Sequence, residues 1–267
     1  MELKLGDVQE TMLIPLAVRA METKRYNARI KDLKAVEIIE TLGLDAQKYN
    51  KFLTYEGVVA RTILIDGFAK SFIEKYPDAV CINLGCGLDD RFSRVDNSRI
   101  LWYDIDLPDS IEVRRKAFED TERRKMLSGN ALENVWTEQI EKRRKTLVVA
   151  EGLLMYFSKE QVQTLFNIIK ENFGDSVIIC ELMHPMVAEN SDKHDTVKAT
   201  NAKFGWGTKS GEDLIPLCDG LKLIKEISLN EIMKKYSVRG FILRNLPLAN
   251  KLNNRIAVLK LNGSKAY

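Results

Sequence analysis

The chain has 267 residues, of which 45% are hydrophobic and 30% charged, and its formal net charge is +3. This length can bury a substantial core in one large domain or two small ones. The small net charge, with basic clusters interleaved with acidic residues, argues against a nucleic-acid-binding protein. No apolar run is long enough to span a membrane, and residues 1–10 lack the apolar segment of a signal peptide. We therefore predict a cytoplasmic protein whose partners include neither nucleic acid nor a membrane.

Cysteine and histidine usage argues against a metal site. The chain has two histidines and four cysteines, and no two cysteines form a C-x-x-C pair. A structural zinc site is therefore not expected. Cys81 and Cys180 fall within predicted strands, where a small buried thiol is the default. We predict reduced thiols and no bound metal.

Residues 7–76 are predicted to be mostly helical. Apolar residues recur at roughly helical spacing between Val36 and Leu44. Residues 58–76 form a second strong amphipathic segment, with apolar side chains available for one broad face. No Pro-, Gly- or Ser-rich linker separates these helices from the first predicted strand, so we expect them to pack on the sheet rather than to form a separate domain.

From residue 79 onward the chain alternates between strands and helices. Short apolar runs with β-branched residues predict buried strands of a parallel sheet. The predicted strands are 79–84, 100–106, 125–131, 146–151, 175–184, 221–229 and 255–261. Helices are predicted to begin near Asp89, to span 111–122 after a break at Pro108, to follow Ser158 and to span 213–218. The alternation predicts an α/β fold with a mainly parallel sheet, whose last two strands form an antiparallel edge hairpin.

These elements suggest a single domain with two parts. Residues 1–76 would form a helical cap, and residues 77–267 would form the α/β core. The alternation of strands and helices loosens near residues 185–211, where scattered polar residues and glycines predict an insertion on the substrate side.

A glycine turn follows the first predicted strand. Gly85, Cys86 and Gly87 stand between that strand and a helix predicted to begin near Asp89. Glycine permits positive φ and close approach of a ligand. A strand, a glycine turn and a helix together commonly hold a nucleotide-like ligand at the carboxyl edge of a sheet. The other interpretation is a tight turn without a ligand.

The residues after the turn favour a cationic ligand. A dinucleotide-binding motif would have a third glycine at position 90, but the chain has Asp89 and Asp90 there. Two carboxylates would repel a pyrophosphate and attract a ligand with an ammonium and a sulfonium. S-Adenosylmethionine carries both groups and no phosphate.

Polar residues follow the predicted strands where a ligand would lie. Asp104 and Asp106 end the second strand and could accept the hydroxyls of a ribose, although either could simply cap the next helix. Asn130 could bind an adenine amino group or only close a turn. The other candidates are Glu151, which must find a partner or stay at a wet edge, Glu181, which could point to the opposite face, and His184, which could be only a turn residue.

Seven segments together resemble the leucine carboxyl methyltransferase superfamily, in particular its bacterial branch typified by a polyketide O-methyltransferase. They occur in the order of that family and cover most of the chain. The segments are ETMLIPLAVRA at 10–20, Arg61-Thr62, LGCGLDDR at 84–91, WYDIDLP at 102–108, SGNAL at 128–132, AEGLLMYFS at 150–158 and FGWGTKSGEDL at 204–214.

The resemblance implies an S-adenosylmethionine-dependent O-methyltransferase with a Rossmann-like, seven-stranded sheet. It places Arg61 against the methionyl carboxylate of the cofactor, for which a guanidinium fork is well suited. The other implied positions are Gly85, Cys86 and Gly87 at the methionine moiety, Asp106 at the ribose, Asn130 and Ala131 at the adenine, Glu151 at the methionine end, and Tyr156 at the entrance to the acceptor pocket.

The same resemblance favours a small-molecule acceptor. Protein-modifying members carry a lysine near the N-terminal cofactor-binding segment, where this chain has Ile14, Pro15 and Leu16. A carboxylate acceptor is already ionised, whereas a phenol or alcohol would need a base, for which Tyr156 and His184 are the candidates. The acceptor is expected to be a carboxylate or hydroxyl of a polyketide-like or other aromatic molecule.

Two other functions remain open from the sequence. One is a protein that binds S-adenosylmethionine and regulates a partner without turnover. The other is an oxidoreductase with a nucleotide cofactor on a similar sheet, against which Asp89 and Asp90 argue.

Overall fold

Seven strands form a single sheet with the order β3-β2-β1-β4-β5-β7-β6 in the computed structural model, which describes residues 11–142, 145–190 and 203–262. The strands are β1 Val80–Leu84, β2 Leu101–Asp106, β3 Arg124–Ser128, β4 Thr146–Ala150, β5 Ser176–Leu182, β6 Leu221–Ser228 and β7 Arg255–Leu261. The pairs among β1 to β5 are parallel, and β7 is antiparallel to both β5 and β6. This confirms the predicted α/β fold with a mainly parallel sheet.

The last two strands are antiparallel neighbours at one edge of the sheet, as predicted, but three helices rather than a tight turn connect them. β7 pairs with β5 along its whole length, from Ser176 opposite Leu261 to Leu182 opposite Arg255. β6 pairs on the other side of β7 and is therefore the edge strand. β7 is mostly buried, and its place between two strands gives its backbone groups partners on both sides.

The helices agree with prediction only in part, since some differ in their ends and those between β6 and β7 were not predicted. They are α1 Leu13–Thr23, α2 Leu33–Thr41, α3 Phe52–Lys75, α4 Arg91–Val95, α5 Pro108–Arg114, α6 Lys159–Phe173, α7 Pro185–Ala188, α8 Asn230–Tyr236, α9 Val238–Asn245 and α10 Pro247–Leu252. Short 3₁₀ helices span Ala46–Tyr49, Val135–Gln139, Leu154–Tyr156 and Gly211–Leu217.

The helix predicted at 111–122 was placed too late. Pro108 is the first residue of α5 rather than a break before it, and the helix ends at Arg114. Proline is well suited to the first helical position, because the N–H that it lacks would have no partner there. The helix after Ser158 agrees with prediction, and Ser158 and Gln161 form a reciprocal capping box.

Apolar residues cover both faces of the sheet. On one face, α3 packs against β1, β4 and β5 through residues such as Leu64, Leu147 and Ile179. On the other face, α6 packs through residues such as Phe166. The second half of the predicted cap, α3, thus forms a helical layer against one face of the sheet. In contrast, α1 and α2 pack around Cys86 and Leu88 beyond the strand ends.

The division into one domain with a cap and a core stays a prediction. Of the predicted insertion at 185–211, residues 191–202 lie outside the described part of the chain. In the three described ranges, no helix has both the length and the apolar character needed to cross a bilayer.

Candidate active site

A cavity of about 800 Å³ lies at the carboxyl ends of β1, β2, β4 and β5. Its walls come from the start of α1, from α3, from the loops after these strands and from residues 229–254. Nine of the predicted site residues line it: Arg61, Gly85, Cys86, Gly87, Asp106, Asn130, Ala131, Glu151 and Tyr156. The other two, Asp104 and His184, are absent from the lining.

The register of the sheet brings these residues together. Leu84 pairs with Ile105, so the glycine turn and Asp106 continue side by side from β1 and β2. Ala150 pairs with Cys180, so Glu151 and Glu181 follow on adjacent strands. Strands that are parallel and in register end at the same edge, which places their next residues around a common space.

The glycine turn has the backbone conformation that the sequence indicates. Gly85 has a φ of 65° and Gly87 a φ of 47°, in the left-handed region that favours glycine. A Cβ at Gly85 would lie 3.1 Å from Leu153 Cδ1, and one at Gly87 would lie 3.0 Å from Met12 Cβ. The turn is therefore tight as well as left-handed. Cys86 lines the cavity, and burial raises the pKa of its thiol well above the usual value.

Asp106 holds the glycine turn and also borders the cavity. Its Oδ2 accepts a hydrogen bond from Gly87 N at 2.7 Å, and its Oδ1 accepts one from Leu107 N at 2.8 Å. Each carboxylate oxygen keeps a second lone pair that can accept from a ligand hydroxyl. Burial raises the pKa of Asp106, although the two backbone N–H groups oppose this shift.

Asp104 occupies a different environment. Its residue is fully buried, and its Oδ2 lies 2.7 Å from Arg114 Nη2 and 3.0 Å from Arg124 Nε. Its Oδ1 accepts hydrogen bonds from Trp102 and Asn83. Burial alone would raise the pKa of Asp104, but the two arginines lower it. The predicted role of Asp104 in cofactor binding is corrected, because β2 directs its carboxylate into this ion cluster rather than to the cavity.

Asn130 and Ala131 lie in the loop after β3 and line the cavity. Asn130 Oδ1 accepts a hydrogen bond from Leu132 N at 3.0 Å, which closes the turn. Its Nδ2 lies 3.3 Å from Glu133 Oε1. The two interpretations of Asn130 are therefore compatible, since the residue closes a turn and also borders the cavity.

Arg61 joins the two carboxylates that follow β4 and β5. Its Nε lies 2.8 Å from Glu151 Oε1, and its Nη1 lies 3.0 Å from Glu181 Oε2. Two neighbouring carboxylates repel each other unless a cation separates them, and Arg61 on α3 supplies that cation. Burial alone would raise the pKa of Glu151, but Arg61 and Arg91 lower it below its usual value.

Glu181 was a candidate from its place in the fifth predicted strand, and the structure places it in the site. Its side chain lines the edge of the cavity, where it contacts Arg61, and does not lie on the opposite face of the sheet. Its Oε2 also accepts from Gly152 N at 3.0 Å, and its Oε1 accepts from Asn254 Nδ2 at 2.8 Å. A carboxylate within the apolar run of β5 was the available signal, because a buried charge needs a partner.

A second buried arginine connects the cavity to the glycine-turn helix. Arg91, whose side chain is fully buried, lies 2.5 Å from Glu151, 2.7 Å from Asp66 and 2.7 Å from Asp89. Arg94 contacts Asp66, Asp89 and Asp32, and Arg19 contacts Asp32 and Asp89. The site thus rests on a continuous network of ion pairs that joins α1, α3 and α4.

This network corrects the electrostatic argument made for Asp89 and Asp90. Asp89 is paired with three arginines, and Asp90 lies 2.9 Å from Arg124. The two carboxylates are therefore neutralised within the protein and do not present a bare negative field to a ligand. The charge of this pair therefore does not select a cationic cofactor over one that carries a phosphate.

The two candidate bases lie in different places. Tyr156 lines the cavity, with its hydroxyl 3.4 Å from Thr11 Oγ1, and burial raises its pKa. His184 is buried at the start of α7, where Nδ1 accepts from Met186 N at 3.2 Å. Burial lowers the pKa of His184. Its predicted catalytic role is corrected, because it caps a helix outside the cavity lining.

Comparisons with known proteins agree with this geometry. The family model described as leucine carboxyl methyltransferase matches residues 12–170. The chain is 26% identical over 229 residues to the tetracenomycin polyketide synthesis O-methyltransferase TcmP of Streptomyces glaucescens, covering 85% of each chain. It is 25% identical over 196 residues to the S-adenosyl-L-methionine-dependent methyltransferase dpfgK of Gibberella zeae, covering 67% of this chain and 65% of that protein.

The fold also matches a solved structure. A protein of Thermobifida fusca assigned as a methyltransferase superposes with a TM-score of 0.63 at 12% sequence identity. The match covers 95% of this chain and 94% of that one. At this identity the likeness shows the fold alone.

Proposed function

The chain belongs to the leucine carboxyl methyltransferase family of S-adenosylmethionine-dependent methyltransferases, and we propose that it methylates an oxygen atom of a small molecule. The observation that carries the proposal is the cavity itself. It gathers a left-handed glycine turn, Asp106 and the group formed by Arg61, Glu151 and Glu181 at one sheet edge.

The donor and acceptor groups around the cavity fit S-adenosylmethionine. Asp106 has oxygens for a ribose diol, and Asn130 has an amide for the adenine edge. Glu151 is kept ionised beside the cavity by Arg61 and Arg91, and its oxygens keep lone pairs that would accept hydrogen bonds from an ammonium group. Arg61 would bind a carboxylate through its remaining donor atoms, since its Nε and Nη1 already face Glu151 and Glu181. These residues would hold the cofactor.

When bound, S-adenosylmethionine supplies an electrophilic methyl group on a sulfonium. The chain's own contribution is to fix the two reactants in line and to keep water out of the cavity. Transfer of this kind needs the acceptor oxygen within about 3–3.5 Å of the methyl carbon, and positioning supplies much of the rate. The ion-pair network beneath Glu151 provides the rigid support that such positioning requires.

The lining beyond the polar group supports an apolar acceptor. Tyr156 packs against Phe204 with ring centroids 5.5 Å apart, and both line the cavity beside Met155, Met183 and Val187. Such a wall suits an aromatic or polyketide-like molecule. The naming of TcmP as a polyketide O-methyltransferase is consistent with this class of acceptor.

Neither of the two predicted bases, Tyr156 and His184, is suited to remove a proton from the acceptor, and this restricts the chemical class of the acceptor oxygen. Tyr156 keeps its proton at neutral pH because burial raises its pKa, and so it can donate a hydrogen bond but not accept a proton. His184 lies outside the lining. We therefore propose that the acceptor oxygen ionises by its own acidity, as in a carboxylate or an acidic phenol.

The function is tested by incubating the protein with S-adenosylmethionine and a panel of aromatic carboxylic acids, phenols and aliphatic alcohols. Mass spectrometry should show a gain of one methyl group on a carboxylic acid or an acidic phenol. Mild alkali then distinguishes the products, because a methyl ester is hydrolysed and an aryl methyl ether is not. Methylation of aliphatic alcohols in preference to both classes would contradict the proposed acceptor group.

A matched pair of variants assigns the activity to the cavity. Asp106→Asn should lower the rate at limiting cofactor, whereas Asp78→Asn should not, since Asp78 forms an exposed pair with Arg99 away from the lining. Equal activity of both variants with the natural chain would remove Asp106 from the proposed cofactor site.

We also propose that the protein works in a reducing compartment such as the cytoplasm. Its four cysteines, Cys81, Cys86, Cys180 and Cys218, are all free and buried. Free thiols of this kind are typical of intracellular proteins.

A further inference from the structure

The helices between β6 and β7 carry a net positive charge. We call residues 230–252, which comprise α8, α9 and α10, the basic helical unit. It contains five Lys or Arg residues and one Glu, a formal charge of +4. The whole chain carries +3, so the other residues together carry −1. This unit is therefore basic, whereas the rest of the chain is close to neutral overall.

The same unit exposes large apolar side chains. Val238 is 78% exposed, Phe241 58% and Leu248 63%, and Tyr236, Ile242 and Leu246 are each at least half exposed. The only buried residue of α9 is Gly240, and α10 has none. These apolar residues contribute little to packing within the described chain, and such a concentration on a surface usually marks a binding site.

The basic helical unit also borders the cavity. Leu243, Ala249 and Leu252 contribute to the cavity lining. Leu53 at the start of α3 lines the cavity and is 62% exposed, so the cavity reaches the surface there. Arg239 lies 5.4 Å from the ring of the neighbouring Phe52. An apolar surface thus continues from the outside of the unit into the site.

We propose that the basic helical unit binds the surface of an anionic phospholipid bilayer. Its apolar side chains would enter the boundary between headgroups and acyl chains, and its Lys and Arg side chains would meet the acidic headgroups. Charge complementarity favours this partner over a second copy of the chain, because a two-fold contact would place +4 against +4. The sequence-based expectation of no membrane partner came from the lack of a spanning segment, and a unit that lies on the surface needs none.

Binding in this manner would place the open side of the cavity at the bilayer interface. On the proposed function, the acceptor would then belong to the lipophilic molecules that concentrate in a membrane. The binding itself involves neither the cofactor nor the acceptor. Failure of methyl transfer and failure of membrane binding can therefore be told apart.

Sedimentation with vesicles tests the proposal on the full chain. Vesicles of phosphatidylcholine mixed with phosphatidylglycerol should bind the protein at least about tenfold more strongly than vesicles of phosphatidylcholine alone. Raising the salt to about 1 M, where the screening length falls to about 3 Å, should release it. Equal binding to both vesicle types, or binding to neither, would overturn the proposal.

Charge and apolar variants locate the contact. Lys235→Glu combined with Lys251→Glu should lower binding to the anionic vesicles by about tenfold or more, and Phe241→Asp combined with Leu246→Asp should do the same. The matched controls are Lys222→Glu and Ile224→Asp on β6, where Ile224 is 60% exposed. Full binding by both pairs of variants would contradict the assignment.

Analytical ultracentrifugation without vesicles tests the other explanation, that the exposed apolar residues form an interface between two copies of the chain. The protein should stay at one mass over a wide range of concentrations. If it dimerises, and Phe241→Asp with Leu246→Asp abolishes the dimer, then the apolar surface is an interface between two copies and the membrane proposal fails.

Discussion

Arg61 is the residue on which the electrostatics of the cavity depend most. It separates Glu151 from Glu181, which follow adjacent strands and would otherwise repel each other. Its side chain is 16% exposed and those of the two glutamates 10% and 1%, so solvent screens the three charges weakly. One guanidinium therefore has a structural role and a proposed role toward the cofactor carboxylate.

Substituting Arg61→Ala should produce two separate losses. The free energy of unfolding should fall by about 3–5 kcal/mol, because two buried carboxylates lose their cation. Cofactor binding should weaken by about 2–5 kcal/mol. Urea denaturation and calorimetry measure these, with Arg99→Ala as the control, since Arg99 forms an exposed pair with Asp78. An unchanged cofactor affinity in a folded Arg61→Ala variant would remove Arg61 from the site.

Asp104 and Asp106 provide a matched pair at the end of one strand. Asp106→Asn should weaken S-adenosylhomocysteine binding about tenfold or more while the fold survives. An amide has only one oxygen, so the side chain can no longer accept hydrogen bonds from both ribose hydroxyls on separate oxygen atoms. Asp104→Asn should instead destabilise the protein by about 3–5 kcal/mol, because it removes the charge between Arg114 and Arg124. Calorimetry and urea denaturation of the two variants should give opposite patterns. The reverse pattern would show that the two roles are exchanged.

The site residues and their partners were only partly predictable from the sequence. Strand ends indicated Gly85, Gly87, Asp106 and Glu151, because the carboxyl edge of a parallel sheet is fixed once the strands are known. The partners of these residues could not be read in the same way. Arg61 and Glu181 are 120 residues apart in the chain, and only the folded structure shows that they form a pair.

The glycine turn is the element that gives the cavity its shape. Gly87→Ala should destabilise the protein by about 1–2 kcal/mol, because φ is positive and the new Cβ would meet Met12. Gly67→Ala in α3 is the control, since a Cβ there meets nothing within 4 Å. That substitution should stabilise the helix by about 0.5–1 kcal/mol. Thermal unfolding of both variants tests the contrast, and a stabilising effect of Gly87→Ala would contradict the left-handed turn.

The start of α7 should make stability depend on pH. Burial lowers the pKa of His184, so the folded protein favours the neutral ring that accepts from Met186 N. The unfolded chain binds a proton near its ordinary pKa of about 6.5. The stabilisation is therefore complete above this pH and is lost as the pH falls below it toward the folded-state pKa.

Urea denaturation of the natural chain and of His184→Gln between neutral and mildly acidic pH measures this contribution. The difference in unfolding free energy between them should shrink as the pH falls. A difference that grows on acidification would mean that the folded protein holds His184 in its charged form.

At the scale of elements, the strands were predictable and several helices were not. β1 and β4 are buried at every position, so their apolar runs stand out in the sequence. The prediction contained no counterpart to α9 and α10, because helices that bury almost nothing leave no apolar stripe to recognise. The error at α5 arose from treating Pro108 as a break when proline also begins helices.

At the scale of the molecule, the sheet and the ion-pair network together fix the positions of the site residues. The sheet aligns the residues at its carboxyl edge, and the network that includes Arg91 and Arg94 joins that edge to α1 and α3. The sequence predicted the sheet and the type of cofactor, whereas the network depends on contacts between distant segments. The arginines that neutralise Asp89 show why a local charge pattern is a poor guide to the field in a folded site.

The most direct measurement is a calorimetric titration of the whole chain with S-adenosylhomocysteine, in parallel with NADH. We expect S-adenosylhomocysteine to bind at one site with a dissociation constant of about 10 μM or tighter, which corresponds to about −7 kcal/mol, and NADH to give no binding. Asp106→Asn should weaken the first titration. Binding of NADH without binding of S-adenosylhomocysteine would contradict the assignment of this cavity to S-adenosylmethionine.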